Sequence, residues 1–230
     1  MTADPTTLRR LYGRQQGHKL RIGQAALVET LLPQVAVPAG PLDAAALFGP
    51  GDAARPLWLE IGFGSGEHLA AQAAANPDVG LIGAEPFLNG VVGALGHLER
   101  GGLTNVRLHM GDALDVLDRL PDGGLARAFL LHPDPWPKAR HAKRRFVNPG
   151  PLDLLAAKLA PGAELRIGTD HAVYCRHTLM MMARRTDFIW TATSRADWET
   201  RPADWPPTRY EAKARRQGHE VWYFRFRRAG

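Results

Sequence analysis

The stretch at residues 57–66, which reads LWLEIGFGSG, decides how the rest of the chain is interpreted. Its first five residues, Leu57–Ile61, are mostly apolar and predict a buried strand. Three glycines follow at alternate positions, and the next nine residues, Glu67–Ala75, have a helical pattern. Glycine lets the backbone turn sharply and approach a ligand closely. A strand, a glycine-rich turn and a helix in this order predict the ligand-binding beginning of an α/β sheet.

The pattern of a strand followed by a helix continues along the chain. Further apolar runs predict strands at residues 79–84, 106–110, 126–131 and 164–168. Helical patterns between and after them lie at residues 88–100, 113–120, 151–159 and 172–184. Two late segments, residues 188–193 and 221–226, predict an antiparallel pair that closes the sheet. Strands that alternate with helices predict a doubly wound, mostly parallel α/β sheet.

Acidic residues follow the first three predicted strands. Glu60 ends the first strand, Glu85 closes the second and Asp112 follows the third. In class I methyltransferases, which this arrangement resembles, acids at these places hold the methionine, the ribose and the adenine amino group of S-adenosylmethionine. A dinucleotide cofactor remains the alternative, but Glu60 would repel its pyrophosphate. Asp112 is also a natural N-cap for the next helix, which is a purely structural interpretation.

A second group of chemically active residues follows the fourth strand, in the segment LLHPDPWPKARHAKRRF at residues 130–146. Prolines on both sides of Asp134 restrict the backbone, so this carboxylate lies on a stiff rim. The segment resembles the Asn/Asp-Pro-Pro-aromatic signature of enzymes that methylate exocyclic amines, although the order of residues differs. The basic residues beyond it are able to neutralise phosphates. They are Lys138, Arg140, Lys143, Arg144 and Arg145.

Two later segments contain further candidate residues. Asp170, at the end of the fifth strand, is either a second hydrogen-bond acceptor on the same edge or an N-cap for residues 172–184. Thr208 and Glu211 follow two prolines and have the spacing of a capping box, so a structural interpretation is available for them too.

Composition limits the class of protein. The chain has 230 residues, a formal net charge of +6 and a pI near 9.9, which favours a polyanionic partner. No run approaches the 18 apolar residues of a membrane span. Cys175 is the only cysteine, so no internal disulfide is expected and we predict a cytoplasmic protein. The nine histidines show no recognisable metal-ligand pattern, and no metal is expected.

Residues 1–56 predict a basic N-terminal arm, and residues 57–230 the catalytic domain. The arm has one predicted helix, at residues 24–32. Its basic residues either contact RNA or are simply solvated. These residues are Arg9, Arg10, Arg14, Lys19 and Arg21.

Together, the segments resemble the bacterial tRNA (guanine-N7)-methyltransferases of the TrmB type. The resemblance covers residues 57–226 in collinear order and includes EIGFGSG at 60–66, PDPWPKARHAKRR at 133–145, Thr169-Asp170 and TRYE at 208–211. The sequence departs from the family pattern at His132, Pro137 and His171, where many relatives have Phe, His and Trp.

The resemblance implies a class I methyltransferase fold and methyl transfer from S-adenosylmethionine to guanine N7 in tRNA, at position 46 of the variable loop in the family. It implies that Asp134 is catalytic. The implied cofactor-binding residues are Glu60, Gly62, Gly64, Gly66, Glu85, Asp112 and Asp134. The implied substrate-binding residues are Lys138, Asp170, Thr208, Arg209, Tyr210 and Glu211. The remaining basic residues after Asp134 are possible phosphate contacts.

The alternative is a methyltransferase that acts on an exocyclic amine of another RNA or DNA base. A cofactor-binding RNA chaperone without turnover is a further possibility, since an intact binding loop does not establish catalysis. We expect either a monomer or a homodimer.

Overall fold

A seven-stranded sheet forms the centre of the computed structural model, which describes residues 17–230. The strand order is β3-β2-β1-β4-β5-β7-β6. The strands are β1 (Leu57–Ile61), β2 (Gly80–Ala84), β3 (Val106–His109), β4 (Leu125–Leu131), β5 (Leu159–Thr169), β6 (Phe188–Trp190) and β7 (Trp222–Arg228). The first five strands are parallel, and β7 pairs antiparallel with both β5 and β6. The predicted doubly wound sheet with an antiparallel end is confirmed.

Helices cover both faces of the sheet. They are α1 (Ile22–Thr30), α2 (Leu32–Val35), α3 (Ala44–Phe48), α4 (Glu67–Ala75), α5 (Leu88–Gly101), α6 (Ala113–Leu117), α7 (Pro149–Lys158), α8 (Ala172–Met182), α9 (Ala196–Glu199) and α10 (Arg209–Arg216). Short 3₁₀ helices lie at Pro50–Asp52 and Ala139–Arg144. Within the part of the chain that is described, no helix is both long and apolar enough to cross a membrane.

The central strands are apolar because both of their faces are covered. All five residues of β1 are buried, as are all five of β2. Parallel sheets with helices on both faces produce such continuous runs. Leu59 of β1 belongs to one hydrophobic core, and Trp58 belongs to the core on the opposite face. Glu60 has the same parity as Trp58, so its side chain points toward the second core.

Several predicted boundaries differ from the structure, and the largest difference is at the start of the fifth strand. The fifth strand begins at Leu159, five residues before the predicted start, and continues through Pro161 and Gly162. Leu159 pairs with Leu125 ahead of a register shift, so this early part of the strand belongs to an irregular stretch of the β4–β5 pairing. Within this early part of the strand, Gly162 adopts a φ of +79°.

The segment before β1 packs against the sheet. Leu42 and Leu47 are 1% and 3% exposed and belong to the same core as β1. The Val37 amide donates to the Leu108 carbonyl of β3 over 2.9 Å. The predicted helix at 24–32 is present as α1, two residues earlier. The division of the chain at residue 57 stays a prediction.

Two of the five basic residues assigned to the arm lie within the described part of the chain. Lys19 and Arg21 are exposed at the surface. Arg9, Arg10 and Arg14 lie outside the described residues.

Candidate active site at the carboxyl edge of the sheet

A cavity of about 540 Å³ opens where β1 to β4 end. The four acids singled out from the sequence line this one cavity. They are Glu60, Glu85, Asp112 and Asp134. Parallel strands end at the same edge, which is where doubly wound sheets bind ligands. Side chains separated by up to 74 positions in the sequence therefore surround a single space.

The glycine-rich loop forms one wall of the cavity. Gly62, Gly64 and Gly66 all have positive φ, at +70°, +58° and +77°. Side chains other than glycine rarely adopt this conformation. A Cβ at Gly66 would also lie 2.6 Å from the Cβ of Ala94 on α5. Glycine is therefore required at position 66 both for the turn and for the close approach of α5.

Glu60 is buried at the base of the cavity, with 3% exposure. Its Oε2 lies 2.8 Å from Nδ1 of His68 on α4. His68 is itself 2% exposed and also lines the cavity. Sequence analysis missed His68, because nothing in the local pattern of α4 distinguishes it from an ordinary helical residue.

Glu85 connects the end of β2 to two backbone segments. Its Oε2 accepts a hydrogen bond from the Gly64 amide and its Oε1 one from the Phe87 amide, both at 2.9 Å. Burial raises the pKa of the Glu85 carboxyl, the two amide donors act in the opposite direction, and the nearby charges of Asp134 and Glu60 raise it further. An excess of negative charge in the cavity opposes ionisation of Glu85, and a cationic ligand would relieve it.

Asp112 is the N-cap of α6, as its sequence position indicated. Its Oδ1 accepts a hydrogen bond of 3.0 Å from the Leu114 amide. Asp112 also lines the cavity. A carboxylate has two oxygens, so the capping role and a ligand-binding role are compatible.

The loop after β4 is held in an unusual conformation. His132 and Trp136 have positive φ values of +47° and +41°, which side chains rarely adopt. The Arg145 guanidinium donates to the Pro135 carbonyl over 3.0 Å and to the Trp136 carbonyl over 2.8 Å. The Arg144 guanidinium lies 4.9 Å from the Trp136 ring centroid. These contacts hold the loop against the segment that follows it.

The basic residues after Asp134 therefore divide into two sets. Lys138, Arg140 and Lys143 are exposed, and they lie on or directly before the 3₁₀ helix Ala139–Arg144. The second set contacts the loop: Arg144 lies against the Trp136 ring, and Arg145 is only 7% exposed and donates to two loop carbonyls. The geometry of Arg145 favours a structural role over contact with phosphate.

Two aspartates of the predicted site differ in environment. Asp134 is exposed at the cavity rim. Asp170 is half-buried, and its Oδ1 lies 3.1 Å from Nδ1 of His132. This hydrogen bond is the main reason why the pKa of Asp170 is lowered. The N-cap interpretation of Asp170 is wrong, because the His171 side chain caps α8 by accepting from the Val173 amide.

The segment at 208–211 begins α10. Thr208 caps this helix, with its hydroxyl accepting from the Glu211 amide at 3.2 Å, which is the first of the two hydrogen bonds of a capping box. Glu211 is 4% exposed and accepts hydrogen bonds from the Tyr223 hydroxyl and from Arg215. Its carboxylate thus points into the fold, and Glu211 does not line the cavity.

Two other residues of this segment lie near the glycine-rich loop at residues 62–66. The Arg209 amide donates to Glu67 over 2.8 Å, and its guanidinium contacts Ser65 and Glu67. Tyr210 lines the cavity, and its ring is nearly parallel to that of His132, with centroids 6.4 Å apart. The beginning of α10 therefore lies across the mouth of the cavity.

Comparison with known proteins identifies the family. The sequence model of a family described as putative methyltransferase matches residues 54–224. The tRNA (guanine-N(7)-)-methyltransferase of Zymomonas mobilis subsp. mobilis is 61% identical over 98% of this chain and 96% of its own length. The chain belongs to the tRNA (guanine-N7-)-methyltransferase family. The protein of the same name from Sphingopyxis alaskensis is 62% identical over 98% of this chain and 97% of its own length.

Solved structures of other methyltransferases share the fold. The 16S rRNA methyltransferase KamB has a TM-score of 0.51 and 17% identity over 85% of this chain and 99% of its own. The 16S rRNA (adenine(1408)-N(1))-methyltransferase of Catenulisporales acidiphilia has a TM-score of 0.51 and 16% identity, over 85% of this chain and 96% of its own. At this identity, only the fold is comparable.

The cavity of this tRNA (guanine-N7-)-methyltransferase family member fits S-adenosylmethionine. The cofactor has a cationic ammonium and a cationic sulfonium, and five carboxylates line the cavity: the four predicted from the sequence and that of Glu67. A dinucleotide pyrophosphate would meet the same carboxylates with a charge of the same sign. Within residues 17–230 no group of three or more His, Cys, Asp or Glu side chains is arranged to hold a metal ion.

Proposed function

We propose that this protein transfers the methyl group of S-adenosylmethionine to N7 of a guanine in tRNA. The observation that carries this proposal is the cavity itself, which is lined by Glu60, Glu85, Asp112 and Asp134, together with the exposed basic residues that follow Asp134 in the sequence. The curated relatives of about 60% identity, which bear the name of this activity, support the substrate. We further propose that the protein acts in the cytoplasm, where its tRNA substrate is found.

Each acid of the cavity has a part in holding the cofactor. Glu60 would hold the ammonium group, Glu85 would accept hydrogen bonds from the ribose hydroxyls and Asp112 would accept one from the adenine amino group. The glycine loop, which has no side chains at positions 62, 64 and 66, lets the backbone approach the methionine moiety. The bound cofactor supplies an electrophilic methyl group on a sulfonium.

The guanine base requires orientation more than proton transfer. N7 has an in-plane lone pair and no proton, so its attack on the methyl carbon needs no general base. S-adenosylmethionine, when bound, would supply the methyl group, and its transfer to N7 would leave a neutral thioether as the leaving group and a cationic base. Correct placement of N7 in line with the sulfur therefore supplies most of the catalysis.

Asp134 is the residue best placed to orient the base. It lies on the cavity rim between two prolines, and its carboxylate is exposed to an incoming base. The carboxylate accepts from guanine N1–H and from the 2-amino group. Asp170 assists through its Oδ2, because its Oδ1 is bound to His132. Adenine lacks these two donors, and an unpaired carboxylate at the closed site costs about 1–3 kcal/mol.

Substitution of Asp134 tests the proposal. Asp134→Ala should lower the rate of methyl transfer to tRNA by roughly 100-fold or more while changing the dissociation constant of S-adenosylmethionine by less than about threefold. Asp122→Ala, an exposed aspartate paired with Lys158 on the opposite edge, is the control and should behave as wild type. Turnover of Asp134→Ala near the wild-type rate would exclude the orienting role.

The product identifies the target atom. Nuclease digestion and mass spectrometry of methylated tRNA should show 7-methylguanosine, a cationic nucleoside that is labile in alkali. An alkali-stable methylated nucleoside would instead indicate transfer to an exocyclic amine. Binding of both ligands without any product would indicate a protein that does not turn over.

A further inference from the structure

A network of buried hydrogen bonds begins at Glu60. His68 Nδ1 lies 2.8 Å from Glu60 Oε2, and His68 Nε2 lies 3.3 Å from Gln72 Nε2. The same Gln72 nitrogen donates to the Asp204 carbonyl over 2.9 Å. The Asn76 side chain donates to Gln72 Oε1 over 3.3 Å. Glu60, His68 and Gln72 are all less than 5% exposed.

The donors and acceptors of this hydrogen-bond network are compatible with one arrangement of protons. An ionised Glu60 only accepts, so the proton of His68 must be on Nδ1. Gln72 Nε2 has two hydrogens, of which one goes to the Asp204 carbonyl and the other to His68 Nε2. His68 Nε2 is then an acceptor, and the imidazole is neutral. His68 and Gln72 thus use all of their side-chain polar atoms in hydrogen bonds, as buried polar groups require.

Aromatic rings fix the position of the His68 imidazole. Its centroid lies 4.8 Å from that of Phe129 and 6.3 Å from that of Trp205, at steep angles to both. Trp205 is 2% exposed and directly follows Asp204. Three residues later Thr208 begins α10, which lies across the cavity. The hydrogen-bond network thus connects Glu60, at the base of the cavity, to the segment that contains Tyr210.

We propose that His68 is a positioning residue that orients the Glu60 carboxylate toward the ammonium group of the cofactor. Because His68 holds Oε2, Oε1 is the oxygen left for the cofactor, and among residues 17–230 no hydrogen bond engages it. Through Gln72, His68 also joins this carboxylate to the Asp204–Trp205 turn. The role rests on the proposed function only for the identity of the cofactor.

Two substitutions of His68 separate positioning from packing. Asn places an amide nitrogen where His68 has Nδ1, so His68→Asn keeps the donor to Glu60 and loses the link to Gln72. His68→Leu removes both. Either substitution loses the ring contacts with Phe129 and Trp205, so both should lower the melting temperature to a similar extent. Leu155→Ala, in the core beneath α7, is a destabilised control remote from the cavity.

Affinity for S-adenosylmethionine is the main measurement, made by calorimetry on the full chain without RNA. Loss of one charge-assisted hydrogen bond should raise the dissociation constant of His68→Leu about tenfold or more. His68→Asn should stay within about threefold of wild type, and Leu155→Ala should be unchanged. Equal loss of affinity in His68→Asn and His68→Leu, or wild-type affinity in His68→Leu, would overturn the proposal.

A second measurement does not depend on activity. ¹⁵N-detected NMR of the histidine side chains, with the His68 signals assigned by their absence in His68→Asn, should show the neutral Nδ1–H tautomer. A proton on Nε2 would overturn the proposal. Failure of the wild-type chain to bind S-adenosylmethionine would overturn both this role and the proposed function. Cofactor binding without methylation of tRNA would refute the proposed function alone.

Discussion

Opposing electrostatic effects act on the Glu85 carboxyl, and its pKa shows which of them prevail. Burial raises the pKa of its carboxyl, and Asp134 and Glu60 raise it further. In the absence of cofactor, the folded state therefore holds the Glu85 proton more strongly than the unfolded state does. Its contribution to stability is present below the unfolded pKa and is lost as pH rises through the folded pKa.

The affinity for S-adenosylmethionine should have the opposite dependence on pH. A cationic ligand binds the ionised carboxylates better, so affinity should increase as pH rises through the raised pKa of Glu85, and binding should release protons. Calorimetry in buffers of different ionisation enthalpy measures both quantities. Glu85→Gln should bind more weakly and with a flatter dependence on pH. An unchanged pH profile in this variant would assign the linkage to another group.

Arg145 provides a test of whether a basic residue binds RNA or holds the loop. Arg145→Ala leaves the Pro135 and Trp136 carbonyls without their donor, so it should lower the free energy of unfolding by about 1–3 kcal/mol and also slow methyl transfer. Lys143→Ala, two residues earlier and exposed, should lower only the affinity for tRNA. Urea denaturation and steady-state kinetics measure these effects. Normal stability with weakened tRNA binding in Arg145→Ala would instead support a phosphate contact.

The sequence located the acids of the cavity because their positions follow from topology. A residue that ends a parallel strand lies at the binding edge whatever its neighbours are. The sequence could not separate Arg145 from Lys143, because burial depends on where the segment packs. His68 gave no signal either, since its partner Glu60 is reached only when α4 folds back over β1.

At the scale of elements, α10 joins the cofactor loop to the predicted tRNA side of the cavity. The spacing of Thr208 and Glu211 indicated a possible capping box, but the helix itself was not among those predicted. This spacing also did not predict the contacts of Arg209 with Glu67 and Ser65, because residues so distant in sequence meet only in the folded chain. Similarly, the spacing of Thr208 and Glu211 could not show that the Glu211 carboxylate points into the fold.

Loss of the contacts between α10 and the glycine-rich loop should weaken the binding of both the cofactor and tRNA. Arg209→Ala removes the side-chain contacts with Ser65 and Glu67, so it should weaken cofactor binding and raise the KM for tRNA by about two- to fivefold each, as expected for an exposed ion pair. Arg216→Ala, at the exposed far end of α10, is the matched control for cofactor binding and should not change it.

A double-mutant cycle isolates the contact itself. If Arg209 acts through Glu67, then Glu67→Ala should show a similar defect, and the double variant should be little worse than either single variant. Additive losses would show that Arg209 acts on the RNA independently of the cofactor loop. Melting temperatures are expected to change little in Arg209→Ala and Arg216→Ala, whose side chains are exposed, whereas Glu67 is partly buried.

For the whole molecule, the alternation of strands and helices predicted the sheet and its direction. The sequence did not predict that Leu42 and Leu47 enter the same core as β1. They belong to a stretch rich in Ala, Pro and Gly that has no clear hydrophobic period. They are buried because this stretch packs over a face of the sheet, which the sequence does not show. Basic residues are distributed widely over the chain, so net charge alone could not locate an RNA-binding surface.

The dependence of tRNA binding on salt distinguishes a local basic rim from the overall field. Each lost phosphate contact should reduce the slope of log K against log salt by about 0.7–0.9, so replacing Lys138, Arg140 and Lys143 with Ala should reduce it by roughly 2–3. A control triple at the opposite edge of the sheet removes the same charge. Its members are Arg100, Arg184 and Arg227, all exposed.

Both triple variants reduce the formal net charge from +6 to +3, because each loses three cations. Long-range attraction should therefore weaken equally in both, whereas direct contacts are lost only in the first. Fluorescence anisotropy with labelled, unmodified tRNA over a range of salt concentrations measures the slopes. A control slope equal to that of the rim variant would mean that net charge, rather than the surface beside Asp134, attracts the RNA.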